Sequence, residues 1–111
     1  MKRGEIWTVA GGSDYARKPR PVVLLQDQRF DSTASVTVSP LTTISLDAPL
    51  FRILVQPTAE NGLRVPSYLM ADKITTVTRI KLGRRIGTLD ADDLARLSRS
   101  VILFLNLLET L

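Results

Sequence analysis

The chain has 111 residues, a formal net charge of +4, and neither cysteine nor histidine. This length suits one domain, over residues 1–111, with one hydrophobic core. Without thiols and imidazoles, catalysis must use carboxylate, hydroxyl or guanidinium groups, or groups of the substrate. No apolar run reaches the about 18 residues of a membrane span, and no apolar signal core follows Met1, so we expect a cytoplasmic protein without membrane contact.

The positive charge is concentrated in the first part of the sequence. Residues 1–89 contain 13 Lys and Arg against 7 Asp and Glu, whereas residues 90–111 contain 2 against 4. Eleven of the fifteen basic residues are arginine, whose guanidinium binds phosphate or carboxylate through paired hydrogen bonds. This balance favours an anionic partner, either a nucleic acid or an acidic protein segment.

Alternating or continuously apolar segments predict short strands along the first part of the chain. In the polar connection after the second strand, Phe30 is predicted to fill the core, with a platform for base stacking as the alternative. A basic turn is predicted around Gly83, between the last two strands. The predicted strands cover residues 5–9, 21–26, 36–41, 50–56, 67–70, 73–78 and 85–89.

From Asp90 onward the apolar spacing becomes helical. Asp90 is suited to cap the helix, and Asp92 and Asp93 lie in its first turn, where negative charge is favourable. A run of short strands followed by one helix predicts an α+β, SH3-like fold: a strongly curved antiparallel barrel with a C-terminal helix laid across it. The predicted apolar face of the helix consists of Leu94, Leu97, Val101, Leu105 and Leu108.

A proline-stiffened basic loop leads into the second strand. Pro19 and Pro21 fix their own φ angles and push Lys18 and Arg20 toward extended backbone. An arginine held in this way at the start of a buried strand can grip or neutralise a phosphate. An ordinary solvated basic turn is the alternative interpretation of these residues.

Several motifs in order resemble the MazF/PemK-like family of toxin endoribonucleases, and the similarity runs from about residue 2 to the end of the chain. The motifs are Lys2-Arg3-Gly4-Glu5-Ile6-Trp7, Arg20-Pro21-Val22-Val23-Leu24-Leu25, Ser39-Pro40-Leu41-Thr42-Thr43, Leu69-Met70-Ala71-Asp72-Lys73-Ile74 and Gly87-Thr88-Leu89, followed by a leucine-rich helix.

The resemblance implies a homodimeric toxin of a type II toxin-antitoxin system, silenced by an acidic antitoxin. It implies sequence-selective cleavage of single-stranded mRNA without a metal or other cofactor, leaving 2′,3′-cyclic phosphate and 5′-hydroxyl ends and inhibiting translation and growth. Arg20 and Thr42 match the family's catalytic arginine and threonine. Asp72 matches a position near the dimer interface, although a plain turn residue is an equal interpretation.

Other residues are candidates for RNA contact. Tyr15 can stack on an exposed base or simply pack its own loop. That loop departs from the family pattern, since Asp14 stands where many relatives have a glutamate. The basic candidates can follow the RNA backbone or the antitoxin, or form a solvated surface. The remaining predicted RNA-binding residues are Arg17, Lys18, Thr43, Arg79, Lys81, Arg84 and Arg85.

Two other functions are compatible with the sequence. One is an SH3-like module that binds RNA or an acidic peptide without cutting. The other is a toxin of the same fold that poisons a topoisomerase, with activity dependent on the terminal helix. The presence of both Arg20 and Thr42 favours the endoribonuclease, because a binding module has no need of that hydroxyl beside that guanidinium.

Overall fold

The computed structural model describes residues 1–10 and 19–109. Within these ranges, short 3-10 helices occupy Gln28–Phe30, Ala71–Lys73 and Arg79–Lys81. The longer elements are β1 (Glu5–Val9), β2 (Arg20–Leu24), β3 (Ser35–Thr42), β4 (Arg52–Val55), β5 (Ser67–Met70), β6 (Thr75–Thr78), β7 (Leu82–Thr88) and α1 (Ala91–Leu105).

The strands form an antiparallel sheet in the order β4, β5, β3, β2, β1, β7, with β6 paired to β3. The long strand β3 changes partner along its length: Val36 lies opposite Val77 of β6, whereas Leu41 lies opposite Leu69 of β5. A strand that serves two neighbours on one side bends the sheet between them. The sheet is strongly curved but not closed, and the predicted fold class is confirmed.

Both faces of the sheet carry a hydrophobic cluster. Neighbouring side chains on a strand point to opposite faces, so Val23 joins the cluster beneath α1 while Val22 joins the cluster on the other face. The continuous apolar run of β2 is explained by this two-sided burial. The helix-side cluster includes Ile6, Val23, Leu41, Ile53, Val55, Leu69 and Leu97, and the opposite cluster includes Val9, Val22, Leu24, Val36 and Val38.

The helix α1 begins where the sequence predicts. The Asp90 carboxylate accepts a hydrogen bond of 2.7 Å from the Asp93 backbone N–H, and Asn106 ends the helix in left-handed backbone geometry. Leu97 is fully buried, but Leu108 is 66% exposed. The predicted apolar face is therefore wrong for the last turns, which extend beyond the cluster. In the described part of the chain, no helix is long and apolar enough to cross a membrane.

Two further sequence predictions are wrong. Phe30 is 56% exposed, and the Arg29 guanidinium lies 5.7 Å from its ring centre, so it does not fill the core. The basic turn around Gly83 is instead the start of β7. A Cβ atom at Gly83 would lie 2.4 Å from Thr8 Oγ1, so this glycine permits close approach of two strands and does not mark a turn.

Candidate nucleic-acid interface

Arg20 and Thr42 are brought together by the pairing of β2 with β3. Val22 lies opposite Pro40 in this pair. The same register, continued by two residues, places Arg20 opposite Thr42, and directly opposed side chains share one face of an antiparallel sheet. Arg20 is exposed as the first residue of β2, and Thr42 is half-buried as the last residue of β3.

The face that these two residues share is set independently by their neighbours. Leu41 and Leu69 belong to the helix-side cluster, so Thr42 and its direct partner Tyr68 point away from the helix. Val22 belongs to the opposite cluster, and Arg20, two residues earlier, points the same way. Arg20, Thr42 and Tyr68 therefore extend from the same face of the sheet, on three neighbouring strands.

The Thr42 hydroxyl is oriented by the turn that follows it. Its Oγ1 accepts a hydrogen bond of 3.1 Å from the backbone N–H of Ile44. This bond occupies one acceptor site and leaves the hydroxyl proton free to donate. Thr43 is exposed in the same turn.

Lys81 lies at the same end of the sheet as Arg20. Val9 pairs with Arg20 on one side and with Leu82 on the other, and the Ala10 backbone N–H donates to the Lys81 carbonyl at 3.1 Å. Two strand spacings, about 10 Å, therefore separate the backbones of β2 and β7 at this end. Together Arg20 and Lys81 make this end of the sheet basic.

Arg84 and Arg85 are exposed on β7, and Arg85 belongs to a network around Glu5. Arg85 Nη1 lies 3.2 Å from Glu5 Oε2, and Trp7 Nε1 donates to Glu5 Oε1 at 3.0 Å. Burial pushes the pKa of Glu5 upward, but hydrogen bonds from Trp7, the Lys2 backbone and Arg85 outweigh it, so the net shift is downward. Glu5 therefore remains charged and holds Trp7 and Arg85 in place on the face that carries Arg20.

Arg79 is turned inward and binds the connection before β3. Its Nε donates to the Thr33 carbonyl at 2.9 Å, and its Nη1 lies 3.1 Å from Asp31 Oδ1. These bonds occupy much of a guanidinium that was predicted to contact RNA. The structure does not bring Arg79 close to Arg20 and Thr42.

Asp72 is held by an arginine of its own chain. Arg52 Nε and Nη2 lie 2.8 and 3.0 Å from the two Asp72 oxygens, with the two side chains 9% and 17% exposed. The hydrogen bonds from Arg52 lower the pKa of Asp72 despite its burial. Asp72 thus fastens the Ala71–Lys73 turn to β4, and its role at a dimer interface stays a prediction.

Several predicted site residues, namely Asp14, Tyr15, Arg17 and Lys18, lie outside the described residues. In the described ranges, no three acidic side chains are grouped so that they could hold a metal ion.

Tyr68, Glu5 and Trp7 were not among the predicted site residues, and Arg85 was predicted without its bond to Glu5. Side chains alternate between the two faces of the sheet along residues 67–70, so the sequence indicates that Tyr68 and the buried Leu69 lie on opposite faces. The sequence does not indicate that Tyr68 lies opposite Thr42, because that depends on the pairing of strands distant in the chain.

The chain is similar in sequence to known proteins. Residues 2–105 match the family described as PemK-like, MazF-like toxin of type II toxin-antitoxin system. The chain is 50% identical over 107 residues to "Probable endoribonuclease MazF" of Mycolicibacterium smegmatis, covering 96% of this chain and 98% of that protein. It is 34% identical over 117 residues to "Endoribonuclease MazF9" of Mycobacterium tuberculosis, again covering 96% and 98%.

Solved structures show the same fold. Mycobacterium tuberculosis toxin MazF-mt6 superposes with a TM-score of 0.75 at 28% identity, covering 91% of this chain and 96% of that one. A mycobacterial endoribonuclease solved with its cognate antitoxin gives a TM-score of 0.78 at 22% identity, covering 96% of each chain. The relatives' names also confirm the predicted endoribonuclease activity. The predicted family is confirmed: this chain belongs to the PemK-like, MazF-like toxins of type II toxin-antitoxin systems.

Proposed function

We propose that this chain cleaves single-stranded mRNA at short sequence motifs, using Arg20 and Thr42 on one scissile phosphate. The observation that carries the proposal is the β2–β3 register, which puts the guanidinium and the hydroxyl on the same face at the same end of the sheet. The names of the two related endoribonucleases support RNA as the substrate. The excess of basic residues before position 90 supports attraction of a polyanion.

RNA supplies its own nucleophile, the 2′-hydroxyl. The protein therefore needs to align this hydroxyl with the phosphorus and to stabilise the charge that develops on the phosphoryl oxygens. The 2′-hydroxyl loses its proton and its oxygen bonds to phosphorus, while the bond to the 5′-oxygen breaks and that oxygen gains a proton. The products are a 2′,3′-cyclic phosphate and a 5′-hydroxyl. Arg20 donates paired hydrogen bonds to the phosphoryl oxygens, and the Thr42 hydroxyl donates another as their charge grows.

Charge stabilisation is the role that suits Arg20 best. A guanidinium stays protonated at ordinary pH, so it is a poor proton donor and a strong partner for an anion. Arg20 is the first residue of a strand and lies between two prolines, which restrict its backbone and so fix where its side chain begins. Alignment of this kind, with little proton transfer by the protein, accords with a chain that has no histidine.

An antitoxin is the expected protein partner, because related toxin structures were solved with their antitoxins. We propose that the antitoxin presents an acidic segment to the basic end of the sheet, where it competes with RNA. The action on mRNA places the toxin in the cytoplasm, where it inhibits translation and growth.

We also propose a homodimer built on the exposed apolar end of α1. Leu107 is 58% exposed, and Leu103 and Phe104 line a hollow together with Leu50 and Phe51. Exposed apolar surface of this kind marks an interface, and a two-fold axis covers both copies of the patch at once.

The test is incubation of the purified protein with a long single-stranded RNA in excess EDTA, followed by mapping of the new ends. Wild type is expected to make discrete cuts with 5′-hydroxyl ends, and Arg20→Ala and Thr42→Ala are expected to lose them. Arg29→Ala, which removes an exposed arginine from the Gln28–Phe30 turn, is the matched control and is expected to cut like wild type. If wild type shifts RNA in a gel without cutting it, the chain is a binding module and the catalytic assignments are wrong.

A further inference from the structure

We propose that Tyr68, with the groove beside it, binds a nucleotide flanking the scissile phosphate and stacks its base on the phenol ring. This inference rests on the proposed endoribonuclease function and adds to it a substrate-binding residue. Tyr68 would thereby help to decide which RNA sequences are cut.

The position of Tyr68 follows from strand pairing. It lies directly opposite Thr42 across β3 and β5, on the face that Arg20 shares. Directly opposed side chains have Cβ atoms about 4.5–5.5 Å apart, so the ring is one strand spacing from the hydroxyl assigned to the phosphate. A base attached to the neighbouring sugar is within reach of a ring at that distance.

The surroundings of Tyr68 leave its ring partly exposed. Its hydroxyl lies 3.4 Å from Ser45 Oγ, in the connection after Thr42. On its other side is Leu54 of β4, its partner in the sheet, which is also exposed. A partly exposed aromatic ring beside an apolar side chain is the surface on which single-stranded nucleic acid bases stack.

A groove of about 690 Å³ extends from Tyr68 between residues 45–50 and α1, and two of its lining residues, Leu50 and Leu103, also line the hollow in the proposed dimer interface. Volumes of about 300–1,000 Å³ are typical of sites that hold a small ligand. Tyr68, Leu54 and Ser45 are among the residues that line it. Because Tyr68 lies directly opposite Thr42, the groove borders the candidate active site at Tyr68, and it is large enough for a nucleotide.

The charges in the groove fit a phosphate. Arg52 is paired with Asp72, and Arg96 with Asp93, while Asp47 is the acidic lining residue. Arg99 is exposed on α1 and makes no ion pair with any described residue. An arginine in that state can neutralise the phosphate next to the stacked nucleotide.

The test uses an RNA oligonucleotide that spans a cut site mapped in wild type, made uncleavable by a 2′-deoxy substitution at the cut. Its affinity is measured for wild type, Tyr68→Phe and Tyr68→Leu. Since stacking on one ring contributes about 1–3 kcal/mol, Tyr68→Leu should weaken binding about tenfold or more. Tyr68→Phe keeps the ring and should bind within about twofold of wild type. Unfolding curves establish that both variants fold.

Abasic substitutions identify the base. The same affinities are measured on oligonucleotides that each lack one base near the cut, and at one position wild type and Tyr68→Leu should bind equally, because the stacked base is already gone. Arg99→Ala should reduce the slope of log affinity against log salt concentration by about the amount expected for one phosphate contact. Arg29→Ala should leave this slope unchanged.

The proposal is overturned if Tyr68→Leu binds the intact oligonucleotide like wild type, which would leave the groove to a protein partner such as the antitoxin. It is also overturned if the loss in Tyr68→Leu persists at every abasic position. In both cases wild type still cuts RNA, so the proposed function stands. A wild type that does not cut RNA overturns the proposed function itself.

Discussion

The backbone N–H of Ile44 donates a 3.1 Å hydrogen bond to the hydroxyl oxygen of Thr42. The bond ties the side chain to the turn that follows β3 and holds the hydroxyl oxygen in place. In the proposed mechanism, the hydroxyl proton that this bond leaves available is donated to the phosphate. Preorganised donors of this kind stabilise developing charge without reorganisation during the reaction.

Removal of the Thr42 hydroxyl should lower the rate of the cleavage step. Thr42→Val keeps the branched shape and loses the O–H, so the single-turnover rate on a cleavable oligonucleotide should fall about 10²- to 10³-fold. Thr42→Ser keeps the hydroxyl and the Ile44 bond, and should cleave within about tenfold of wild type. If Thr42→Val cleaves like wild type, the hydroxyl has no role in the chemistry.

The paired hydrogen bonds between Arg52 and Asp72 should contribute to folding. Asp72→Asn loses the charge on one partner and leaves a largely buried guanidinium without its carboxylate. At neutral pH the free energy of unfolding, measured with urea, should fall by about 1.5–3 kcal/mol. An unchanged urea midpoint would show that the pair is energetically neutral.

In acid, wild type and Asp72→Asn should have the same free energy of unfolding. The pKa of Asp72 is lowered from its ordinary 3.8 in the folded protein, chiefly by hydrogen bonds from Arg52. The unfolded chain therefore binds this proton more readily, and the stabilisation is complete above about pH 5 and is lost as the pH falls through the lowered pKa. Urea curves at several pH values should converge in acid, and a constant gap would contradict the assignment.

Trp7, the single tryptophan of the sequence, reports on the buried Glu5 carboxylate. Glu5→Gln can still accept from the indole N–H and loses an ion pair with a half-exposed Arg85, so unfolding followed by tryptophan fluorescence should show a loss of at most about 1 kcal/mol. Glu5→Ala leaves the indole N–H without its acceptor and should cost about 1–3 kcal/mol. Equal losses in both variants would place the stabilisation in the charge and not in the indole bond.

The oligomeric state should depend on the apolar end of α1. Leu107→Glu places a charge in the proposed interface, and sedimentation velocity should shift from dimer to monomer. Ile80→Glu is the matched control, since Ile80 is even more exposed but lies in the Arg79–Lys81 turn. A wild type that sediments as a monomer, or a Leu107→Glu protein that remains a dimer, would place the interface elsewhere or exclude it.

The sequence predicts an element correctly where the residues that determine it are neighbours in the chain. The start of α1 was predicted because Asp90 caps the helix through a neighbour three residues away. The start of β7 was not, because the role of Gly83 depends on Thr8, which approaches it from a distant strand. The same limit explains Arg79, whose partners Asp31 and Thr33 lie far away in the sequence.

The candidate site shows the same division. Arg20 and Thr42 were predicted from their motifs, but their common face follows from a register that no single segment contains. Tyr68 joins them for the same reason, and only the pairing of β5 with β3 reveals it.

The most direct test of the central claim is a double-mutant cycle on Arg20 and Thr42. Single-turnover cleavage rates are measured for wild type, Arg20→Lys, Thr42→Val and the double variant, each under saturating protein. Because both side chains are proposed to act on one phosphate, their effects should be coupled, and the double variant should differ clearly from the product of the two single losses. If the two losses simply multiply, Arg20 and Thr42 act independently and the shared site is wrong.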